Sequence, residues 1–237
     1  MAFLAAGTIK GTLGVGLPIT AVGLMSLFLD PRLAITLMVF PIIFSNMWQL
    51  YRSGKIFRTL QRYKVFAGFL LVVLFVTTLF TAKVSAGALL IFVGLVIALF
   101  SLINLAFTPP VLPDRLDRAG QIFGGITAGI TGGLTAMWAP SIAVYLIARR
   151  TDKQEFVRAT GFLFLIGSIP LGIGFWQNGM MSGTLALISA GMILPTLAGY
   201  FVGEAVRQKL HPEKFRILIL IFFLLMGLNL MRKGIWG

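Results

Sequence analysis

The chain has 237 residues, of which 58% are hydrophobic and only 11% are charged. A water-soluble domain carries about a quarter charged residues because its surface must be hydrated. This composition therefore excludes a water-soluble domain. The net charge of +13 would favour nucleic acid as the partner of a soluble protein. In a membrane protein, however, basic residues accumulate in cytoplasmic loops beside anionic lipid. We therefore expect membrane lipids and no nucleic acid among the partners.

The sequence also argues against an enzyme or a metalloprotein. There is no cysteine, and the single histidine, His211, lies in a basic loop. Neither a thiolate metal site nor a histidine base within the membrane is therefore available. No aspartate or glutamate lies deep within an apolar segment. We expect no cofactor, no metal and no catalytic residue, and an intramembrane enzyme is the least favoured alternative.

Eight apolar segments follow one another along the chain, several of them long enough to cross a hydrocarbon core of about 30 Å as helices. The first and the fifth segments are the longest, and glycine and proline interrupt both, as expected where a helix breaks. In chain order the segments are residues 2–29, 33–50, 65–82, 84–107, 121–148, 159–177, 183–203 and 215–231.

The first and fifth segments match each other in sequence. A shift of 122 positions brings two glycines, a proline, an aspartate and a phenylalanine into register. The pairs are Gly7 with Gly129, Gly11 with Gly133, Pro18 with Pro140, Asp30 with Asp152 and Phe40 with Phe162. This match predicts two repeats, residues 1–107 and 120–237, joined by a linker at 108–119. Internal repeats of this kind are common in secondary transporters.

The basic residues discriminate between two topologies. If all eight segments cross, the two sides receive nine and ten Lys and Arg residues, although so basic a membrane protein should show a bias. If the fifth segment turns back, one side receives fifteen and the other receives four, namely Arg32, Lys83, Arg232 and Lys233. Lys10, inside the first segment, belongs to neither count. The bias predicts that the fifth segment is a re-entrant hairpin.

Because the first segment shares the pattern of the fifth, we expect it to share the shape. The predicted fold is an all-α integral membrane protein of two inverted repeats, each with a Gly/Pro-broken re-entrant hairpin and three transmembrane helices. Both termini lie outside in this arrangement. A first segment that spans the membrane is the main alternative.

The two hairpin tips are predicted to bind an anion. Glycine permits the positive φ angles that a helix break needs, and proline suits the first turn of the helix that resumes. The free N–H groups of that helix then point at the tip and favour negative charge. Two inverted hairpins would bring two such ends near the membrane midplane. The alternative is that the glycines only let helices pack closely.

The candidate substrate-binding residues come from both halves. Lys10 is the one basic residue clearly within an apolar segment, and it could attract the anion unless its side chain snorkels to the headgroups. Asn46, Gln49 and Ser168 could donate hydrogen bonds to the anion, or could bond to neighbouring helices instead. The remaining candidates lie at the two tips and are Gly11, Thr12, Gly14, Gly16, Thr131, Gly132, Gly133, Thr135 and Trp138.

Two Gly-rich segments, each followed by a proline and a short loop, in a basic chain of this length resemble the TauE/SafE sulfite exporter-like permeases. The likeness is strongest at residues 7–18 and 129–140, and Gly14-Val-Gly16 stands where many members have three consecutive glycines. The resemblance implies a secondary transporter or facilitator for sulfite, organosulfonate-type or related small anions, usually outward across the bacterial inner membrane. A non-transporting subunit or scaffold is the alternative, and a homo-oligomer is left open.

Overall fold

The structure, a computed structural model, describes residues 1–13, 15–53, 56–106, 110–207 and 212–236, and within these ranges the regular structure is all helical. A 3₁₀ turn at Asp114–Leu116 precedes α7. The helices are α1 (Ala2–Leu13), α2 (Leu17–Ser26), α3 (Pro31–Thr36), α4 (Val39–Ser53), α5 (Ile56–Thr81), α6 (Ala86–Ala106), α7 (Asp117–Thr135), α8 (Ala139–Ala148), α9 (Lys153–Gln177), α10 (Gly183–Gly191), α11 (Ile193–Arg207) and α12 (Pro212–Trp236).

Six stretches of the described chain are long and apolar enough to cross a membrane. This number confirms the six crossing segments predicted from the sequence, whereas the inverted orientation of the repeats stays a prediction. The six are Pro31–Arg52 in α3 and α4, Ile56–Thr81 in α5, Ala86–Ala106 in α6, Gln154–Gln177 in α9, Gly183–Val206 in α10 and α11, and Ile219–Trp236 in α12.

Two short helix pairs lie between these stretches, α1 with α2 and α7 with α8, and we call them the first and second hairpins. Helices α2 and α8 have 10 residues each. At 1.5 Å per residue this is roughly 15 Å, about half of the hydrocarbon core. Each contacts the helix before it. The shift of 122 positions places α2 on α8 residue for residue, so the sequence repeat corresponds to a repeated local structure.

The repeated aspartate has the same role in both halves. The Oδ1 atom of Asp30 accepts a hydrogen bond from the N–H of Arg32 at 2.8 Å, at the start of α3. The Oδ1 atom of Asp152 accepts from the N–H groups of Gln154 and Glu155, both at 2.9 Å, at the start of α9. An aspartate at the N-cap satisfies amides that have no acceptor within the helix. The sequence match therefore marks a matched helix start.

The helices form two compact units that mix the two sequence repeats. The first unit contains α1 to α3, α6 and α10 to α12, and the second contains most of α4, together with α5 and α7 to α9. In the first unit α1 packs along α11 and α6 packs along α12, while in the second α7 and α9 pack along α5. The repeat relates α1 to α7, and α11 to the later part of α5. The first helix of each hairpin therefore packs on a helix of the other sequence repeat: α1 packs on α11, and α7 packs on α5.

Glycines bring α1 and α11 close together in the same direction. A Cβ on Gly7 would overlap the carbonyl oxygen of Thr196, and a Cβ on Gly11 would overlap that of Tyr200. Small residues four apart let helices associate in lipid, where no hydrophobic force drives them together. Gly7 and Gly11 therefore have the helix-packing role that was one alternative from the sequence. Residue numbers rise together from Gly7 to Gly11 and from Thr196 to Tyr200, so α1 and α11 run parallel.

The second unit contains an equivalent parallel pair. A Cβ on Gly125 of α7 would lie 2.8 Å from Cβ of Phe69 in α5, and a Cβ on Gly133 would lie 2.6 Å from Cβ of Thr77. Residue numbers rise together along both helices. Helices α5 and α7 therefore run in the same direction.

The pair of α6 and α12 in the first unit is antiparallel. A Cβ on Gly87 would lie 3.0 Å from the carbonyl oxygen of Gly234, and a Cβ on Gly94 would lie 2.5 Å from that of Gly227. Residue numbers rise along α6 as they fall along α12.

Candidate functional site

The first hairpin turns between Leu13 and Leu17. Gly16 has a φ angle of 101°, a left-handed conformation that residues with a Cβ rarely adopt. Its carbonyl oxygen accepts from the N–H of Thr20 at 2.9 Å and from the Thr20 hydroxyl at 2.8 Å. Pro18 lies in the first turn of α2, as the sequence predicts. Gly14, another predicted site residue, lies outside the described residues.

Lys10 lies in α1 beside this turn, and its side chain is only 1% exposed. A snorkelling lysine would present its ammonium group at the surface, so the burial does not fit that alternative. Thr12 is also buried, and its hydroxyl lies within hydrogen-bond distance of the carbonyl oxygens of Thr8 at 2.8 Å and Gly203 at 3.2 Å. Thr12 therefore joins α1 to α11, and Lys10 is the candidate ligand for an anion in the first unit.

The second hairpin turns between α7 and α8. Ala136 adopts a φ angle of 57°, and the N–H of Met137 donates to Oγ1 of Thr135 at 3.2 Å. Residues 136 to 139 are all buried, as irregular backbone must be where it would otherwise meet lipid. Pro140 lies in the first turn of α8. The two hairpins thus share a buried break followed by a proline-started helix.

Trp138 occupies this second turn and is 2% exposed. A Cβ on Gly132 would lie 2.8 Å from the Trp138 ring and one on Gly167 would lie 3.3 Å from it, and Phe164 meets the ring edge-on with centroids 5.7 Å apart. The Nε1–H group is buried and finds no hydrogen-bond acceptor in the described part of the chain. A buried donor without an acceptor costs about 1–3 kcal/mol, so this group is a candidate for binding an acceptor atom of a ligand.

Gln49, like Trp138, contacts α9, but its side chain forms hydrogen bonds with that helix. Its Nε2 group donates to the carbonyl oxygen of Val157 at 2.9 Å and to Oγ1 of Thr160 at 3.3 Å. Further along the same face of α9, Gly167 lies against Trp138. The structure therefore brings Gln49 and Trp138 onto one face of α9, and the interhelical bond considered from the sequence is observed for Gln49.

Four further candidates bond to their own helices. Asn46, Ser168, Thr131 and Thr135 each donate to a carbonyl oxygen about one turn earlier, at 2.6 to 2.8 Å for the first two and at 2.9 and 2.6 Å for the threonines. These bonds satisfy a donor of each side chain without a ligand. Gly133 has a packing role, because it lies against α5 and its carbonyl oxygen accepts from the hydroxyl of Thr81 at 2.7 Å.

Sequence patterning missed a polar cluster where α5, α7 and α8 meet. Tyr63 has non-helical angles inside α5, with φ −108° and ψ 17°. The side-chain amide of Gln121 fills the resulting gap: its Oε1 accepts from the N–H of Phe66 and its Nε2 donates to the carbonyl of Arg62, both at 3.2 Å. In an unbroken helix those two backbone groups would bond to each other. The only sequence signal is a glutamine at the edge of an apolar segment, which cannot identify its partners.

Asp117 extends this polar cluster. Its Oδ1 accepts from the hydroxyl of Tyr145 at 2.7 Å and lies 3.0 Å from Nε of Arg149, while its Oδ2 accepts from Gln121 at 2.9 Å. Arg149 also pairs with Asp114 at 2.8 Å. The hydrogen bond with Asp114, together with the charge of Asp117, raises the pKa of Arg149 above its usual value. Both carboxylate oxygens of Asp117 are thus engaged.

The described residues form an all-helical fold with six apolar stretches and two short, broken hairpins, which is the ground plan of a multi-pass membrane transporter. The family model described as "Sulfite exporter TauE/SafE" matches residues 1–230, and the chain belongs to this family. Membership confirms the resemblance noted in the sequence: the protein is a membrane transporter of sulfur anions and not an enzyme. No curated protein and no solved structure matches the chain.

Proposed function

We propose that the protein exports sulfite or an organosulfonate-type anion across the bacterial inner membrane, as a secondary transporter or facilitator. The family description as a sulfite exporter supports both the substrate class and the outward direction. The side that carries fifteen basic residues is then the cytoplasmic one, and both termini lie outside.

The observation that carries the proposed binding site is the buried indole N–H of Trp138. A sulfite or sulfonate oxygen is a charged acceptor, and its hydrogen bond to this N–H would be stronger than one between neutral groups. The first-turn amides of α8 follow Trp138 directly in the chain, and such amides lack acceptors within the helix. Contacts with Gly132, Gly167 and Phe164 hold the ring in place before the anion arrives, so little ordering is needed on binding.

Lys10 is the proposed charged group of the first hairpin. Its positive charge would neutralise the anion, and the first turn of α2 would supply further amide donors. The repeat places Gly132 at the position of Lys10, and in the second hairpin the Trp138 ring lies against that glycine. The two hairpins therefore offer different donors, a charged amine in one and a neutral indole in the other.

The experiment is anion flux with purified protein in liposomes, using sulfite, sulfate, thiosulfate and sulfoacetate. Replacement of the indole by Trp138→Phe removes the donor and keeps an aromatic ring. A hydrogen bond to a charged group contributes about 1.5–3 kcal/mol, so the apparent affinity for the preferred anion should fall tenfold or more. The control is Trp176→Phe, because Trp176 is exposed near the end of α9. Equal affinities for the two variants would contradict the proposed site.

Lys10 is tested by a pair of substitutions. Lys10→Ala removes the charge and should reduce anion flux while the amount of folded protein in the membrane stays unchanged. Lys10→Arg keeps the charge and should retain part of the flux. Wild-type affinity and flux in Lys10→Ala would exclude a role in substrate binding.

A further inference from the structure

A groove on the second unit combines two cations with an apolar floor. It lies between α5 and α7 and has a volume of about 460 Å³. Lys64 and Arg118 lie in it together with Gly68, Phe69 and Val72. Since α5 and α7 run in the same direction, the two cations, which precede the apolar residues on their helices, share one end of the groove.

Neither cation is neutralised by a carboxylate of the described residues. Asp117 precedes Arg118, but its two oxygens are engaged by Tyr145, Arg149 and Gln121. Within the described ranges neither Lys64 nor Arg118 forms an ion pair with another residue. The groove therefore presents two positive charges to whatever lies in it.

The floor beyond the cations is open and apolar. Gly68 is exposed, and a Cβ placed on it would meet no atom within 4 Å. Phe69 and Val72 are 38% and 65% exposed. From Lys64 to Val72 the helix rises roughly 12 Å at 1.5 Å per residue. Lys64 is the last charged residue before the apolar run 65–82, so the cations lie where headgroups meet hydrocarbon.

We propose that this groove binds one anionic phospholipid, with the phosphate at Lys64 and Arg118 and an acyl chain along Gly68, Phe69 and Val72. A basic pocket at the headgroup level suits such a lipid. A second copy of the chain fits less well, because its net charge is also +13 and a symmetric contact would bring like charges together. A free phosphate would gain nothing from the apolar floor.

The test is native mass spectrometry of delipidated protein titrated with phosphatidylglycerol or phosphatidylcholine of identical acyl chains. At about fivefold per cation, wild type with its two cations should prefer phosphatidylglycerol by about twenty-fivefold. The double variant Lys64→Gln/Arg118→Gln should lose this preference. The matched control Arg58→Gln/Arg115→Gln removes the same charge from exposed positions outside the groove and should keep it.

A second variant fills the groove without changing its charge. Gly68→Leu has room for its side chain and should weaken the binding of both lipids, while glycerol phosphate alone should not compete with either. Unchanged phosphatidylglycerol binding in both the charge variant and Gly68→Leu would overturn the proposal. A lipid-free dimer that Gly68→Leu abolishes would overturn it as well, because a second copy would then be the occupant. Anion flux is a separate readout, so failure here leaves the proposed function standing.

Discussion

Two basic side chains on the proposed outer side of this protein bond to backbone carbonyl oxygens of neighbouring segments. Lys233 lies near the end of α12, and its Nζ donates to the carbonyl oxygens of Ser26 at 3.4 Å and Leu27 at 3.0 Å, where α2 ends. The guanidinium of Arg32 donates to the carbonyl oxygen of Val84. The carbonyls of Ser26 and Leu27 are the last of α2; such carbonyls have no partner within the helix and attract cations. Val84 instead lies in the turn between α5 and α6. Two of the four basic residues on the proposed outer side therefore have a local structural reason to be there.

Asp152 provides a prediction that can be followed with pH. Its pKa is lowered, first by the hydrogen bond from the N–H of Glu155 and then by that from Gln154. A carboxyl with a lowered folded pKa stabilises the protein fully above its unfolded pKa of about 3.9, and this stabilisation is lost as the pH falls through the folded value. An asparagine caps a helix about as well but does not titrate in this range.

We therefore expect the difference in unfolding temperature between wild type and Asp152→Asn to be constant above about pH 5. Below about pH 4 the unfolding temperature of wild type should fall relative to that of Asp152→Asn. Differential scanning fluorimetry in detergent across this range measures the difference. Asp152→Ala should unfold at a lower temperature than either at neutral pH. A difference between wild type and Asp152→Asn that does not change with pH would contradict this account of the cap.

Residue identity alone predicts some of these roles and not others. Pro18 and Pro140 each predict the start of a helix, because the fixed φ angle and missing N–H of proline suit the first helical turn. The orphaned N–H of Trp138 follows from the sequence only as a candidate, since its burial depends on Gly132 and Gly167, two glycines from different helices. Gln49 is equally ambiguous from the sequence: an amide can bind a ligand or a neighbouring helix, and only the position of α9 decides.

The middle of each long helix agrees with an apolar segment predicted from the sequence, but some helices begin before that segment does. Helix α5 begins at Ile56 and α9 at Lys153, each ahead of the predicted apolar segment. Hydropathy marks the part of a helix that lies in hydrocarbon, whereas the helix itself continues wherever its polar residues find partners. In α9 these partners are the cap of Asp152 and the ion pair of Arg158 with Glu155 at 2.9 Å.

The kink of α5 at Tyr63 depends on one side chain of another helix. Gln121→Ala would leave the N–H of Phe66 and the carbonyl of Arg62 without their present partners. Each buried group left unpaired costs about 1–3 kcal/mol. We expect a clear fall in the unfolding temperature, measured in detergent. Gln61→Ala, an exposed glutamine of α5, is the control and should have little effect. Equal stability of the two variants would mean that α5 straightens and pairs these groups itself.

For the molecule as a whole, the relative directions of three helix pairs support one of the topologies weighed from the sequence. Eight crossings would make α6 and α12 parallel, yet they are antiparallel. A first segment that spans, combined with a re-entrant fifth, would make α1 and α11 antiparallel, yet they are parallel. Two re-entrant hairpins satisfy both pairs, and also the parallel pair of α5 and α7. Sequence patterning could not supply this support, because charge and hydropathy describe each helix alone and not its partner.

The topology itself is tested with cysteine labelling, which the absence of native cysteine makes simple. Two hairpins place Ser53 in the cytoplasm and Ser182 outside, because one re-entrant segment between them changes the side of everything that follows. In intact cells an impermeant thiol reagent should label Ser182→Cys and leave Ser53→Cys unlabelled.

Permeabilised cells provide the control for this labelling, since both variants should then react and so prove that both thiols are accessible. Eight plain crossings place the two positions on the same face, so matching labelling in intact cells would exclude the two-hairpin topology. A reversed pattern, with Ser53→Cys labelled and Ser182→Cys protected, would keep the re-entrant fifth segment but turn the molecule over. The side with fifteen basic residues would then face outward, against the tendency of Lys and Arg to stay in the cytoplasm. The pair of variants therefore tests whether the fifth segment is re-entrant, separately from the orientation of the whole chain. Re-entry of the first segment does not change the sides of Ser53 and Ser182 relative to each other.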